Sequence, residues 1–165
     1  MKSLRIYKNE EEVLELSAHL ATNVYTVGGH IRPLNELIAH KREHGILALK
    51  PLPVSGAFHT LAMKSAADRL SRTVNELKLN FTDNDSIVYS NVTGEAYVDT
   101  SQIVKLLPLQ VRVYVKWHQI ISKLSGLNKN NEISEILEVG PGGGQLGKLM
   151  QKTDNKLYQK YSYKF

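Results

Sequence analysis

Apolar positions in the first 50 residues follow first a helical and then a strand pattern. Over residues 10–20 the apolar side chains recur at helical spacing, which predicts an amphipathic helix: Val13, Leu14, Leu16 and Leu20. Residues 23–27 are a β-branched run that predicts a strand ending at Gly28-Gly29. A helix should follow, with Pro33 in its first turn and Gly45 after its end. Residues 46–52 then predict a second strand, which would complete a strand–helix–strand unit.

The pattern after Pro51 and Pro53, which mark a linker, is longer and more regular. Residues 54–60 predict a loop, and a helix to about Leu79 follows because its apolar residues share one face: Met63, Ala66, Ala67, Leu70, Val74 and Leu77. Further elements are expected as strands at 87–92, 135–139 (of the buried type) and within 158–165, helices at 101–107, 117–125 and from Gln145, and a glycine turn at 140–144. This alternation predicts an α/β protein with a largely parallel sheet.

Composition narrows the possible chemistry. The chain has 165 residues, 42% of them hydrophobic, and no cysteine, which excludes disulfides, thiolate catalysis and cysteine-based zinc sites. No apolar run reaches the roughly 18 residues that a membrane-spanning helix needs. Residues 1–12 lack the apolar stretch of a secretory signal, and their acidic residues are atypical of a transit peptide. Two interpretations stay open: a cytosolic protein, or a true start that lies upstream.

The formal net charge of +5 would suit an acidic partner, either nucleic acid or an acidic protein. A merely basic surface is the simpler interpretation, because no basic stretch is interleaved with aromatic residues, which make up 7% of the chain. We therefore expect neither a nucleic acid nor a membrane as partner. A small nucleic-acid-binding α/β domain remains the least favoured hypothesis.

The segment VSGAFHT at residues 54–60 places a histidine where a loop meets a helix. Gly56 and Ala57 would let a substrate approach the backbone, and a neutral His59 could act as a general base near pH 7. A helix-capping loop with a surface histidine is the plainer alternative, which these residues alone would favour.

Other candidate motifs are weaker. The segment EVGPGGGQLG at 138–147 resembles a phosphate-binding loop in lying between a strand and a helix, but it lacks the Gly-Lys-Ser/Thr ending and the dinucleotide spacing. A tight strand-to-helix turn is therefore the better interpretation. His40 and His44 lie four apart but lack the zinc-protease pattern, which favours a solvated face and no metal site. No serine lies in a G-x-S-x-G nucleophile elbow.

An ordered set of segments resembles one family. LPVSGAFHTLAMK at 52–64 is similar to the histidine segment of malonyl-CoA:acyl-carrier-protein transacylases, most like the mitochondrial animal type. VYSNV at 88–92, Gln110 seven residues before Trp117, and EVGPG at 138–142 follow in the family's order. Each segment is short, but the order is specific.

The resemblance implies a mechanism and the residues for it. Malonyl would pass from malonyl-CoA to the phosphopantetheine thiol of acyl carrier protein in fatty-acid synthesis, through a malonyl-serine intermediate and without a cofactor. His59 matches the family's catalytic histidine, and Gln110 matches the residue whose backbone carbonyl orients it. Phe58 and Asn91 would contact the substrate, the Phe58 ring crowding any substituent on the malonyl carbon. A mitochondrial location rests on the resemblance alone.

The departures from the family concern the rest of the machinery. The family's Gly-His-Ser-Leu-Gly elbow, its oxyanion-hole turn and the arginine for the malonyl carboxylate have no match in this sequence. The resemblance implies a partial ferredoxin-like small subdomain at 1–52 and the C-terminal part of an α/β-hydrolase-like acyltransferase domain at 53–165. We expect the 165 residues alone to be inactive. A non-catalytic carrier-protein-binding fragment is the alternative.

Overall fold

A computed structural model describes residues 12–79, 86–130, 132–141 and 143–164. Within these ranges the strands and helices follow one another along the chain as β1 (Leu14–Ala21), β2 (Val24–Gly29), α1 (Ile31–Ala39), α2 (Lys64–Glu76), α3 (Thr100–Leu106), α4 (Trp117–Lys129), β3 (Ile136–Val139), α5 (Gln145–Thr153), α6 (Asn155–Tyr158) and β4 (Tyr161–Lys164). Two short 3-10 helices, Leu61–Met63 and Pro108–Val111, precede α2 and follow α3.

The helix predicted over residues 10–20 is wrong, because the described part of this segment is strand β1. It pairs antiparallel with β2 to form the hairpin Leu14–Gly29, and the pairing register shifts on either side of Ser17 and Leu20. Each shift inserts an extra residue into β1, so its buried residues no longer alternate. Burial instead recurs at helical spacing, at Leu14, Ser17, Ala18 and Ala21. Of the four apolar residues whose spacing predicted a helix, only Leu14 is buried.

The segment after the hairpin contains the predicted helix but not the second predicted strand. The strand expected at 23–27 is confirmed as β2, and α1 carries the buried Pro33 and Leu37. Residues 46–52 form no strand, and Leu47 is almost fully exposed. Pro51 supplies no backbone N–H for a sheet ladder. The unit is therefore strand–strand–helix.

The helices of the second part lie close to the predicted positions, with shifted ends. Helix α2 ends at Glu76 rather than near Leu79, while α3 and α4 confirm the helices expected at 101–107 and 117–125. Asp99 caps α3 by accepting a hydrogen bond from the Gln102 N–H at 2.7 Å.

The strand predicted at residues 87–92 is wrong apart from an isolated bridge between Tyr89 and Ala96. The chain turns at Ser90, which is buried and whose hydroxyl accepts hydrogen bonds from the N–H groups of Val92 and Thr93. A serine side chain that bonds to the backbone in this way competes with a strand ladder.

The C-terminal elements form a second small sheet. Strands β3 and β4 confirm the strands predicted at 135–139 and in the tail, and they pair in parallel. The expectation of a buried β3 is wrong, because Leu137 and Val139 are exposed. Within the described ranges, β4 is the one strand paired with β3. The core beneath comprises Ile121, Met150 and Leu157, with Trp117, Leu124, Ile133 and Ile136 around it.

The sheet topology differs from the expected largely parallel sheet, since the described residues form two separate two-stranded sheets, one antiparallel and one parallel. The first sheet is not isolated, because β1 packs against α4 and α5. The division at residues 52 and 53 remains a prediction. None of the described helices has the length and apolarity to cross a membrane.

Candidate active site

His59 has an unusual backbone. Its φ is +62°, in the left-handed region that side chains other than glycine seldom adopt. Histidine tolerates this region better than most residues, yet the conformation costs about 1–2 kcal/mol. Such a residue persists only where its surroundings hold it, and these conformations cluster at functional sites.

The short 3-10 helix Pro108–Val111 provides the groups that hold His59. The last carbonyl groups of a helix have no partner within it, so they are available to other donors. The His59 backbone N–H donates to the carbonyl of Val111 at 2.7 Å. Its ring Nδ1 lies 2.6 Å from the carbonyl oxygen of Gln110. The structure therefore brings together the two residues predicted to form the catalytic pair.

This geometry determines which ring nitrogen carries the proton. A carbonyl oxygen only accepts hydrogen bonds, so Nδ1 must be the protonated donor in the neutral ring. The other nitrogen, Nε2, then presents a lone pair. Within the described ranges no hydrogen bond involves Nε2. An oriented imidazole with a bare Nε2 can remove a proton from a hydroxyl or thiol that reaches it.

The side chain of Gln110 makes a separate contact. Its amide Nε2 donates to the hydroxyl of Tyr97 at 3.3 Å. The interaction with His59 uses only the backbone carbonyl, so it does not depend on the side-chain amide.

The two residues predicted to contact the substrate, Phe58 and Asn91, lie in different parts of the fold. Phe58 precedes His59 in the same loop and is 44% exposed, so its ring is accessible to a ligand. Asn91 lies in the turn after Ser90, where its carbonyl accepts the Lys116 N–H at 2.9 Å. Among the hydrogen bonds of the described residues, none links Asn91 to His59 or Gln110. Both substrate roles remain predictions.

Three residues around His59 were missed by sequence reasoning. Thr60 is fully buried and its hydroxyl donates to the carbonyl of Ala57 at 2.6 Å. Gly28 lies against the Thr60 methyl group, and the carboxylate of Glu15 accepts the Leu61 N–H at 2.8 Å. Glu15 and Leu61 are 46 residues apart, so no local pattern signals their contact.

The polar groups around the glycine turn form hydrogen bonds with one another. The Glu138 carboxylate accepts hydrogen bonds from the Gly147 N–H at 3.0 Å and from the Tyr161 hydroxyl at 2.6 Å. The Tyr161 hydrogen bond, followed by backbone N–H groups of Gly147 and Leu146, lowers the pKa of Glu138. A phosphate would need those same N–H groups at the start of α5. The interpretation as a strand-to-helix turn is supported.

The histidine pair of the first part is not on a helix, because α1 ends at Ala39. His40 and His44 lie in the following turn and are exposed, with the His40 ring 3.0 Å from the Glu43 carboxylate. The hydrogen bond to Glu43, and after it the charge of that carboxylate, raises the pKa of His40. The described residues contain no cluster of three or more metal-ligating side chains.

Comparisons with known proteins identify relatives of the whole chain. The chain is 33% identical over 162 residues to the mitochondrial malonyl-CoA-acyl carrier protein transacylase of Mus musculus, covering 98% of the chain and 41% of the relative. It is 32% identical to the human protein of the same name, covering 98% of the chain and 40% of the relative. No protein-family model matches the chain.

A solved structure shows the same fold. The malonyl CoA-acyl carrier protein transacylase of Clostridium perfringens superposes with a TM-score of 0.78 at 27% sequence identity, over 93% of this chain and 45% of that one. The fold is thus part of an α/β acyltransferase. Over 98% of its length, the chain is thus similar to malonyl-CoA-acyl carrier protein transacylases. It spans 40–41% of the length of the two curated relatives.

Proposed function

We propose that this chain forms the histidine-bearing part of an acyltransferase that moves malonyl from malonyl-CoA to the phosphopantetheine thiol of acyl carrier protein in fatty-acid synthesis. The observation that carries the proposal is the contact of His59 Nδ1 with the Gln110 carbonyl at 2.6 Å. The names of the relatives supply the substrates, and those of the animal relatives support a mitochondrial location.

In this mechanism His59 Nε2 takes the proton of a serine hydroxyl while the serine oxygen attacks the thioester carbonyl of malonyl-CoA. The thiolate of coenzyme A leaves as a thiol with the proton from His59. The carrier thiol next gives its proton to Nε2 and attacks the malonyl-serine ester, and the serine regains its proton. Gln110 acts through its carbonyl, which fixes the ring without adding a charge.

The serine is supplied from outside these 165 residues, because no G-x-S-x-G segment occurs among them. Phe58 and Asn91 are assigned to the substrate, with Phe58 limiting substituents on the malonyl carbon. On its own the chain transfers nothing. Its net charge of +5 favours, as the second candidate, a fragment that binds the acidic carrier protein without catalysis.

Reconstitution tests the proposal. The chain would be mixed with a separately produced polypeptide that carries a Gly-His-Ser-Leu-Gly segment of the family, and transfer of labelled malonyl to carrier protein would be measured. We expect transfer only in the mixture, and a fall of about 10²–10⁴-fold with His59→Ala, the usual contribution of a general base. His44→Ala, on an exposed turn, is the matched control.

Undiminished transfer with His59→Ala would reject the assignment of the base. Binding of carrier protein by the chain, with no transfer in a mixture whose serine polypeptide is folded, would favour the non-catalytic candidate instead.

A further inference from the structure

The hairpin Leu14–Gly29 contacts both segments that form the His59–Gln110 pair. On one side, the Glu15 carboxylate accepts the N–H of Leu61, two residues after His59, at 2.8 Å. On the other side, β1 bonds to Val115, five residues after Gln110. The His19 N–H donates to the Val115 carbonyl and the Val115 N–H donates to the Ser17 carbonyl, each at 2.9 Å. The hairpin therefore bridges the two segments.

A steric contact adds to these hydrogen bonds. The methyl group of Thr60 lies so close to Gly28 that a Cβ at position 28 would be 2.8 Å from it. Thr60 cannot turn its methyl group away freely, because it is fully buried and its hydroxyl is bound to Ala57 at 2.6 Å. Only a residue without a side chain lets β2 approach Thr60 this closely.

The strained backbone conformation of His59 needs neighbouring contacts to hold it. With φ at +62°, His59 has a more relaxed alternative available, so neighbouring contacts must hold it in place. Its own bonds to Gln110 and Val111 are to one 3-10 helix, and the hairpin bonds to the same segment at Val115, four residues after that helix. Thr60 and Leu61, the next residues along the chain, are fixed by Gly28 and Glu15.

We propose that Glu15, Gly28 and Thr60 are positioning residues for His59. They keep Nδ1 on the Gln110 carbonyl and leave Nε2 open. This inference deepens the proposed function, since His59 is its base, but the predicted geometry can be measured without any acyl transfer.

The test uses the full chain and NMR of its histidine rings, which reports the ratio of the Nδ1–H to the Nε2–H form of His59. We expect Gly28→Ala to lower this ratio by about fivefold, the effect of losing one hydrogen bond. Thr60→Ser keeps the hydroxyl and removes the methyl group, so it should restore the ratio when combined with Gly28→Ala. Gly126→Ala in α4, where an added Cβ meets nothing within 4 Å, is the matched control.

A second pair of variants tests the other contact. Glu15→Gln retains an oxygen that can accept the Leu61 N–H, whereas Glu15→Ala does not. We expect the ratio to fall only with Glu15→Ala. A ratio that stays unchanged in folded Gly28→Ala and Glu15→Ala proteins would overturn the proposal, as would a failure of Thr60→Ser to restore it.

These outcomes are separable from those of the proposed function. If the ratio responds as expected while His59→Ala leaves reconstituted transfer intact, the positioning role stands and the role of His59 as base fails.

Discussion

The loop at residues 54–60 and the glycine turn that follows Glu138 in β3 both lead into a helix, and both carry small residues next to a titratable side chain. They differ in how their polar atoms are used. In the first, one ring nitrogen of His59 bonds to the Gln110 carbonyl, and the other has no partner among the described residues. In the second, the Glu138 carboxylate is shared between Gly147 and Tyr161.

The turn after Glu138 is closed further by Tyr163. Its hydroxyl donates to the Gly140 carbonyl at 2.7 Å and accepts the Gly143 N–H at 3.3 Å. Gly140, Gly143 and Gly144 all have positive φ, so this path requires glycine. The Glu138 turn thus uses its polar groups for the fold, whereas the His59 loop retains an unused one. An unused, oriented polar atom is the better sign of chemistry.

The largest expected effect is on the Glu138 turn. In Gly147→Ala the new Cβ would lie 2.3–2.7 Å from three ring carbons of Tyr161, whose hydroxyl is bound to Glu138. We expect the free energy of unfolding to fall by about 3 kcal/mol, measured by urea denaturation. Gly126→Ala in α4 has free space around it and should raise stability by roughly 0.5–1 kcal/mol, since alanine favours helix. Equal stability of the two variants would contradict the packing described here.

A smaller effect is expected at His59. Glycine adopts a φ of +62° without strain, whereas alanine does not. Both His59→Gly and His59→Ala lose the bond to Gln110, so their difference isolates the backbone. We expect His59→Gly to be more stable than His59→Ala by about 1 kcal/mol in urea denaturation. If His59→Ala were the more stable variant, the positive φ at residue 59 would not cost free energy in a residue with a side chain.

The smallest expected effect is a change in the free energy of unfolding at acid and at alkaline pH. Hydrogen bonding to Tyr161 holds the pKa of Glu138 below its ordinary 4.5, so that stabilisation is full above this pH and is lost as the pH falls below it. Burial and the bond to Glu138 raise the pKa of Tyr161 from 10.0 to about 12, so that stabilisation is full below pH 10 and is lost as the pH rises towards 12.

Urea midpoints across both pH ranges check these directions. Tyr161→Phe should flatten the alkaline slope and weaken the acid one, because it removes both the phenol and the main partner of Glu138. His59→Gly should leave both slopes unchanged. If the urea midpoint of Tyr161→Phe still changed with pH as it does in the unaltered chain, titration of Glu138 and Tyr161 would not be the cause of the pH dependence.

Most helices and the contact of His59 with the Gln110 carbonyl are predicted before the structure is seen, but the other long-range contacts are not. Helices α1 to α5 are signalled by local periodicity, and His59 and Gln110 by the family resemblance. Residues 10–20 look like a helix from their apolar spacing, but the described part of this segment pairs with β2 as a strand. Residues 87–92 look like a strand, but the Ser90 hydroxyl turns the chain there.

The contacts that support His59 could not be predicted from the sequence because they join distant segments of the chain. Gly28 reads as the end of a strand and Thr60 as the residue before a helix, and only the folded chain places one against the other. Glu15 occupies a strand where a carboxylate would ordinarily face water. Tertiary contacts between segments more than 30 residues apart leave no periodic trace in a single sequence.

The measurement that tests the account most directly is the nitrogen NMR spectrum of the His59 ring in the intact chain at neutral pH, assigned by comparison with His59→Gly. We predict that the neutral ring carries its proton on Nδ1, hydrogen-bonded to the Gln110 carbonyl, and has a bare lone pair on Nε2. We also predict no change in Gln110→Ala, because the acceptor belongs to the backbone. A neutral ring with its proton on Nε2 would contradict the account, since that nitrogen could not then act as the base.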